Sequence, residues 1–275
     1  MYARAYVEIT NVCNMNCSFC HGHSRPPRQM TEGEYGRVLE QLTGKTRYIY
    51  HHLMGEPLVH PLLPRFIQMA REAGFRPMIT TNGTLLDRFG DALLTENLHK
   101  VNISLHSFEG DQQDAHARYI QNVAAFAQKA NAAGILVSLR LWNNGCDEGR
   151  NHTALQVLKE HFPEPWIENT RGYRIRDGLF LGWDGRFDWP DEHASDGREQ
   201  VFCHGLADHF GILCDGTVVP CCLDSDGVIS LGNVFQEELS DILSSPRAKA
   251  IAEGFQRRKA VEDLCRRCGF ARRFS

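Results

Sequence analysis

Three cysteines within eight residues, Cys13-Asn14-Met15-Asn16-Cys17-Ser18-Phe19-Cys20, have a C-x₃-C-x₂-C spacing that suits iron–sulfur chemistry. Three close thiolates hold three corners of a [4Fe–4S] cube. The fourth iron then has no protein ligand and is free to bind a substrate or cofactor. Electron-transfer clusters are as a rule closed by four cysteines, so a triplet points to chemistry at the metal. Two plainer readings compete. Structural zinc wants four ligands, usually with C-x₂-C pairs. A disulfide framework suits a small secreted chain rather than one of 275 residues.

The bulk composition is that of an ordinary globular chain, 42% hydrophobic and 23% charged. That length fits one large α/β domain or a domain with an appendage. Nine of the ten cysteines lie toward the two ends, with Cys146 alone in the middle. The N-terminus runs straight into Tyr6-Val7-Glu8-Ile9-Thr10 without a charged start and apolar core, so no signal peptide is expected. No apolar run approaches a membrane span. A cytoplasmic protein with reduced thiols is therefore expected. The net charge of −4 is uneven, because residues 247–275 carry nine Lys/Arg against three Asp/Glu. That basic tail suits either an anionic partner such as nucleic acid or a solvated helix face beside negative thiolates.

Strand and helix signals alternate along the chain. Ala5, Val7 and Ile9 alternate with polar neighbours, as in a strand. Thr31-Glu32-Gly33-Glu34 reads as a capping box that opens a helix to about Thr43. Further strands are expected at Arg47–Tyr50, Arg76–Thr81, Val101–Leu105, Ile135–Trp142 and Tyr173–Trp183. Helices are expected at Pro61–Ala73, Asp87–Asn97, Asp111–Ala133 and Asn151–His161. Repeating strand–helix units imply parallel strands with right-handed crossovers. Six of them give an α/β partial (β/α)₆ TIM-like barrel, with its site at the C-terminal strand ends. Trp189–Gln200 reads as a linker. Beyond it, Asp215-Gly216 between two alternating segments signals a hairpin, and a helix is expected over Leu239–Arg258. The reading is thus a barrel domain over residues 1–190 and a small hairpin-plus-helix domain over 191–275.

The cysteine triplet after a first strand resembles the motif of the radical S-adenosylmethionine (SAM) superfamily, and other strand ends agree. Phe19 matches the aromatic that the family sets against the adenine ring; packing is the plainer reading. Met54-Gly55-Glu56-Pro57 follows the second strand and resembles the family's G-G-E-P motif, with Met54 in place of the first Gly. Its implied role is to bind the amino group of the methionine moiety, with Gly55 and Glu56 as the matching residues. Thr80-Thr81-Asn82-Gly83 resembles the family's T-N-G, so Asn82 contacts SAM or substrate, or only forms a turn. Ser104 matches a serine that contacts SAM. Arg140 breaks an apolar strand and needs an anionic partner: the SAM carboxylate, bound bidentately, or an internal acid. His106 shares a face with Ser104 and is either a substrate-contacting acid or base or a satisfied polar residue. His51 and His52 have no motif support and read as structural.

The C-terminal part resembles the SPASM/twitch auxiliary-cluster regions of radical SAM enzymes. The matching residues are Cys203, Gly216-x₄-Cys221, Leu231-Gly232-Asn233-Val234 and Cys265-Arg266-Arg267-Cys268. The further cysteines of a full SPASM pattern do not follow, so the resemblance implies one auxiliary [4Fe–4S] cluster held by Cys203, Cys221, Cys265 and Cys268. Four thiolates close the site and imply electron transfer. Cys214 and Cys222 are spare, and either could replace Cys203; zinc is the plainer occupant. Size and spacing resemble radical SAM alcohol dehydrogenases such as that of butirosin biosynthesis.

The implied activity is a radical SAM oxidoreductase with SAM, a SAM-binding [4Fe–4S] cluster and an auxiliary [4Fe–4S] cluster. A small molecule or peptide is the expected substrate, and a flavodoxin- or ferredoxin-type protein the expected reductant. No membrane partner is expected. An RNA substrate stays open through the basic tail. The competing class is a non-catalytic iron–sulfur electron carrier, which predicts four ligands at every site.

Overall fold

The computed structural model describes residues 1–109 and 113–274. Its strands are β1 (Arg4–Val7), β2 (Tyr48–Tyr50), β3 (Arg76–Thr81), β4 (Lys100–Ser104), β5 (Leu136–Asn144), β6 (Ile167–Asn169), β7 (Gly172–Arg176), β8 (Leu179–Gly185), β9 (His209–Ile212), β10 (Thr217–Val219) and β11 (Gly232–Asn233). They form one open sheet in the order β11-β10-β9-β1-β2-β3-β4-β5-β8-β7-β6. Strands β1 to β5 and β8 are parallel neighbours and make the six-stranded partial barrel. Strand β9 continues the parallel set on the other side of β1. Antiparallel strands extend both edges, β10 and β11 on one and β7 and β6 on the other.

The helices are α1 (Glu32–Leu42), α2 (Leu63–Glu72), α3 (Leu86–Phe89), α4 (Gln113–Ala132), α5 (Arg150–His161), α6 (Leu239–Leu243), α7 (Pro246–Gln256) and α8 (Asp263–Arg266). Helix α1 starts where the capping box stands. Thr31 Oγ1 accepts the Glu34 N–H at 3.2 Å, and Glu34 Oε2 accepts the Thr31 N–H at 2.8 Å. Strand residues alternate between faces. Ala5, Val7, Ile49, Val101, Ile103, Val137 and Leu139 point to the helices and are buried in one core with Tyr35, Phe66, Ile120 and Val123. Their in-between neighbours Tyr6, Tyr50, Thr80, Ser104 and Arg140 are only half-buried and line the concave face. Full burial of each large core side chain contributes about 1.5–3 kcal/mol, so this alternation fixes which residues face the cleft.

Three expected elements are corrected. Tyr173–Trp183 is two strands, β7 and β8, because Asp177-Gly178 turns the chain with Gly178 at φ +78°. Only β8 joins the parallel set. Asp87–Asn97 is the short α3 followed by a 3₁₀ turn over Gly90–Leu93, with Gly90 packed so closely on Phe126 that a Cβ would stand 2.8 Å from it. Leu239–Arg258 is broken into α6 and α7 at Ser245-Pro246. Proline lacks the N–H to continue a helix, and Ser245 caps the new one through the Ala248 N–H. The expected helix at Asp111–Ala133 begins outside the described residues; its described part is α4. Among the described residues no helix is long and apolar enough to cross a membrane.

Candidate functional site

The loop after β1 carries Cys13, Cys17 and Cys20 into a cleft of about 450 Å³ at the C-terminal ends of the barrel strands. The thiols are close enough to raise one another's proton affinity. Burial first, then the neighbouring thiols and Glu109, push Cys17 up to about 11, and Cys13 is raised by burial. The loop is held from several sides. Glu109 accepts the Ser18 N–H at 2.6 Å and the Ser18 hydroxyl at 2.5 Å. Trp189 Nε1 donates to the Phe19 carbonyl at 3.0 Å, and Arg186 lies 5.3 Å over the Phe19 ring. Trp189 therefore forms part of this site rather than an idle linker.

Behind the loop, Glu8 is fully buried and takes both Arg25 nitrogens, at 2.6 and 2.8 Å. It also accepts the N–H groups of Met54 at 3.2 Å and Cys214 at 3.1 Å. One carboxylate thus ties β1, the cysteine loop, the loop after β2 and the end of β9. Gly55 explains the glycine of its motif. At φ +73° a Cβ would stand 2.4 Å from the Thr10 carbonyl oxygen and 2.9 Å from Val12 O. Only glycine lets the β2 loop lie on the backbone leading into Cys13, and the Glu56 N–H donates to Val12 O at 2.9 Å.

Gly55, Phe19, Ser104 and Arg140 line the cleft with the three cysteines; Glu56 and Asn82 stand behind its wall. Glu56 is buried and accepts the Thr81 hydroxyl at 2.7 Å, the Asn82 N–H at 2.7 Å and the Leu58 N–H at 3.0 Å. Burial outweighs these donors and raises its carboxyl to about 7. Asn82 Nδ2 donates to Asn14 at 3.0 Å and lies 4.0 Å from the Cys13 sulfur. Arg140 is stacked 4.7 Å over Trp142, faces Tyr50, Tyr6 and Cys222, and forms no ion pair among the described residues. His106 also lines the cleft, its Nδ1 between Arg140 O at 3.1 Å and Trp142 N at 3.3 Å; burial lowers it to about 4.

His51 and His52 part company. His51 is fully buried and bonded to the Tyr35 hydroxyl at 2.6 Å. His52 lines the cleft, and its buried Nδ1 has no hydrogen-bond partner among the described residues. Burial, then Arg140, lowers it to about 3. Strand alternation alone would have found it, since His52 lies two residues after the inward-facing Tyr50.

Cys203, Cys221, Cys265 and Cys268 all line a second, small cavity of about 30 Å³, walled by Val201, Ile229, Phe255, Leu264 and Ala271. Burial and mutual repulsion hold Cys221 and Cys265 well above the ordinary thiol range. Thiolates need a cation in such a place, and the four-sulfur donor set fits an iron–sulfur cluster. Among the described residues no three His, Cys, Asp or Glu side chains gather as around a single ion. Neither spare cysteine lines this cavity, although Cys222 lies close enough to Cys221 and Cys203 to interact with their thiols electrostatically. Cys214 packs 3.7 Å from Arg25, and Cys222 lines the first cleft. Several cations of the basic tail are paired internally, Arg247 with Glu262 at 2.8 Å, Arg266 with Asp263 at 2.7 Å and Arg273 with Asp184 at 2.6 Å.

A barrel open at one side, with three cysteines at its mouth, defines the fold and site of a radical SAM protein. The family model of the radical SAM superfamily matches residues 7–143, and that of the SPASM iron–sulfur cluster-binding domain matches residues 203–269. The chain belongs to the radical SAM superfamily and carries a SPASM region, which implies a [4Fe–4S] cluster with SAM and further iron–sulfur binding. The GTP 3′,8-cyclase of Chlorobaculum tepidum is 33% identical over 110 residues, 38% of this chain and 33% of that protein. A probable GTP 3′,8-cyclase of Methanococcus maripaludis is 29% identical over 47% of this chain and 45% of its own. The chain therefore spans a third to a half of these relatives. Among solved structures, BtrN in complex with AdoMet and 2-DOIA superposes with TM-score 0.58 at 18% identity, covering 98% of this chain and 93% of BtrN. SuiB of Streptococcus suis bound to S-adenosylmethionine superposes with TM-score 0.64 at 15% identity, covering 98% and 72%. Native anSMEcpe with AdoMet and a peptide gives 0.61 at 15%, covering 96% and 88%. These likenesses show the fold.

Proposed function

We propose that this protein is a radical SAM oxidoreductase with one auxiliary cluster. The observation that carries the reading is the pairing of a cleft lined by three cysteines with a separate apolar cavity lined by four. When bound, the first cluster and SAM would supply a 5′-deoxyadenosyl radical that initiates loss of a substrate hydrogen, and the second cluster would accept the remaining electron. Cys13, Cys17 and Cys20 hold the first cluster; Cys203, Cys221, Cys265 and Cys268 hold the second. Gly55 presents its backbone to the methionine amino group, Phe19 covers the adenine, and Ser104 and Arg140 take the carboxylate end. Arg140 suits that task because its charge has no ion-pair partner among the described residues. Glu56 and Asn82 act on the cofactor by fixing the Gly55 segment and the Cys13 side of the loop. The proposed units are the barrel over 1–190 and the auxiliary region over 191–275, joined through β9. A small alcohol or amine, or a peptide, is the substrate class, since BtrN was solved with 2-DOIA and anSMEcpe with a peptide. A cytoplasmic flavodoxin or ferredoxin is the proposed reductant.

Anaerobic reconstitution, followed by SAM and dithionite, tests the reading by the yield of 5′-deoxyadenosine. Its formation by the native protein and loss in Cys17→Ala is the expected result. A fully loaded protein whose spectrum ignores SAM and which releases no 5′-deoxyadenosine is an electron carrier instead.

A further inference from the structure

Cys221 and Cys222 are neighbours in the chain but serve different cavities. Cys221 lines the closed cavity with the other three auxiliary cysteines, whereas Cys222 lines the open cleft. Its place is fixed by Tyr6, whose hydroxyl stands beside the Cys222 sulfur. The Tyr6 ring is in turn held by Tyr50 at 5.1 Å, His52 at 5.5 Å and His209 at 5.5 Å. Two further groups border this part of the cleft. Arg140 lines it and faces Cys222 without an ion-pair partner among the described residues, and His52 lines it as well. Cys222 is therefore a thiol presented to a ligand volume, one peptide bond from a residue assigned to the auxiliary cluster.

We propose that Cys222 is a catalytic thiol that relays the radical from SAM to the substrate. The proposal rests on the reading of the cleft as a SAM site. The Cys222 S–H bond breaks as its hydrogen atom passes to the 5′-carbon radical, forming a C–H bond and leaving the unpaired electron on sulfur. The sulfur then takes a hydrogen atom from a substrate C–H, which restores the thiol and leaves a carbon radical. That carbon loses one electron to the auxiliary cluster while its oxygen or nitrogen releases one proton, giving C=O or C=N. The sum is a two-electron oxidation with the thiol regenerated. An S–H bond is weaker than an ordinary C–H bond, so the substrate must carry its hydrogen beside a hydroxyl or amine, where the C–H is weakened. The Cys222–Cys221 peptide supplies a short covalent path for the departing electron.

The test needs no substrate. Thiol hydrogens exchange with solvent and carbon-bound hydrogens do not. The cluster-loaded protein is given SAM and dithionite in D₂O, and the 5′-deoxyadenosine is weighed by mass spectrometry. The native protein should return 5′-deoxyadenosine carrying one deuterium. Whatever Cys222→Ala or Cys222→Ser forms should be unlabelled, with iron and sulfide contents matching the native protein. A readout independent of turnover is alkylation of the loaded protein by N-ethylmaleimide. Peptide mapping should find Cys222 modified, and saturating S-adenosylhomocysteine should abolish that modification. Unlabelled product from the native protein, or label that survives in Cys222→Ala, overturns the relay and leaves the SAM reading standing. No 5′-deoxyadenosine from any loaded form overturns the SAM reading and the relay with it.

Discussion

Cys13 and Cys20 stand exposed on a loop, whereas Cys203, Cys221, Cys265 and Cys268 share a cavity walled by valine, isoleucine, leucine and phenylalanine. The first site is held by polar braces that act from behind: Glu8 on Arg25, Glu109 on Ser18, and the Glu56 N–H on the Val12 carbonyl. The second is held by apolar walls and by the thiols themselves. An open site must admit ligand, so its order comes from hydrogen bonds outside the cleft. The second site gathers four thiols among apolar side chains, so its stability depends on what neutralises them once ionised.

The largest contrast should come from removing a ligand on the closed side. Cys265→Ala should lose about half the iron and much of the folding stability of residues 203–269, because metal binding there is coupled to folding. The SAM-induced change in the first cluster's electron paramagnetic resonance spectrum should remain. Loss of both signals together would show that the two sites are one cooperative unit. Next in size is Glu8→Leu, which leaves Arg25 buried without its partner. Removal of one member of a buried pair costs about 3–5 kcal/mol, to be read from urea unfolding. A loss well under 1 kcal/mol would mean that the open site does not depend on that brace.

Acidity separates the sites further. The Glu56 carboxyl is raised from 4.5 to about 7 in the folded chain. The folded state thus holds the proton more tightly than the unfolded state, so this stabilisation is full below about pH 4.5 and is lost as pH rises through about 7. Relative to Glu56→Gln, the native chain should lose on the order of 1–3 kcal/mol between pH 5 and pH 7.5. A flat difference would mean that the three donors to Glu56 hold it ionised. The smallest effect expected is Gly55→Ala. The displaced loop should weaken SAM binding by at least about tenfold, or ~1.4 kcal/mol, measured by calorimetry, with the iron content of the closed site unchanged.

The meeting of four cysteines was legible because they are recognisably spaced, and all four line one cavity. The alternation of β1 and the capping box of α1 were legible for the same reason, since both are local patterns. The braces were not. Glu8 meets Arg25 across 17 residues, Ser18 meets Glu109 across 91, and Phe19 meets Trp189 across 170. No local spacing announces such pairs; they exist only once the sheet has brought the strand ends together. The split at Asp177-Gly178 was legible as a turn but was outweighed by the apolar run around it. His52 was passed over for want of a motif, although its offset from Tyr50 placed it on the inner face.

The pairing of β9 with β1 sets an order of assembly. The first strand of the chain waits for a partner that is made some two hundred residues later, and the Glu8 carboxylate reaches the Cys214 N–H across 206 positions. Until then β1 presents an unpaired edge beside the cysteine loop, the kind of edge that recruits other strands. During synthesis the cysteine triplet is thus made well before the strand and the Cys214 N–H that complete its surroundings, which leaves an interval in which iron–sulfur delivery can reach the loop.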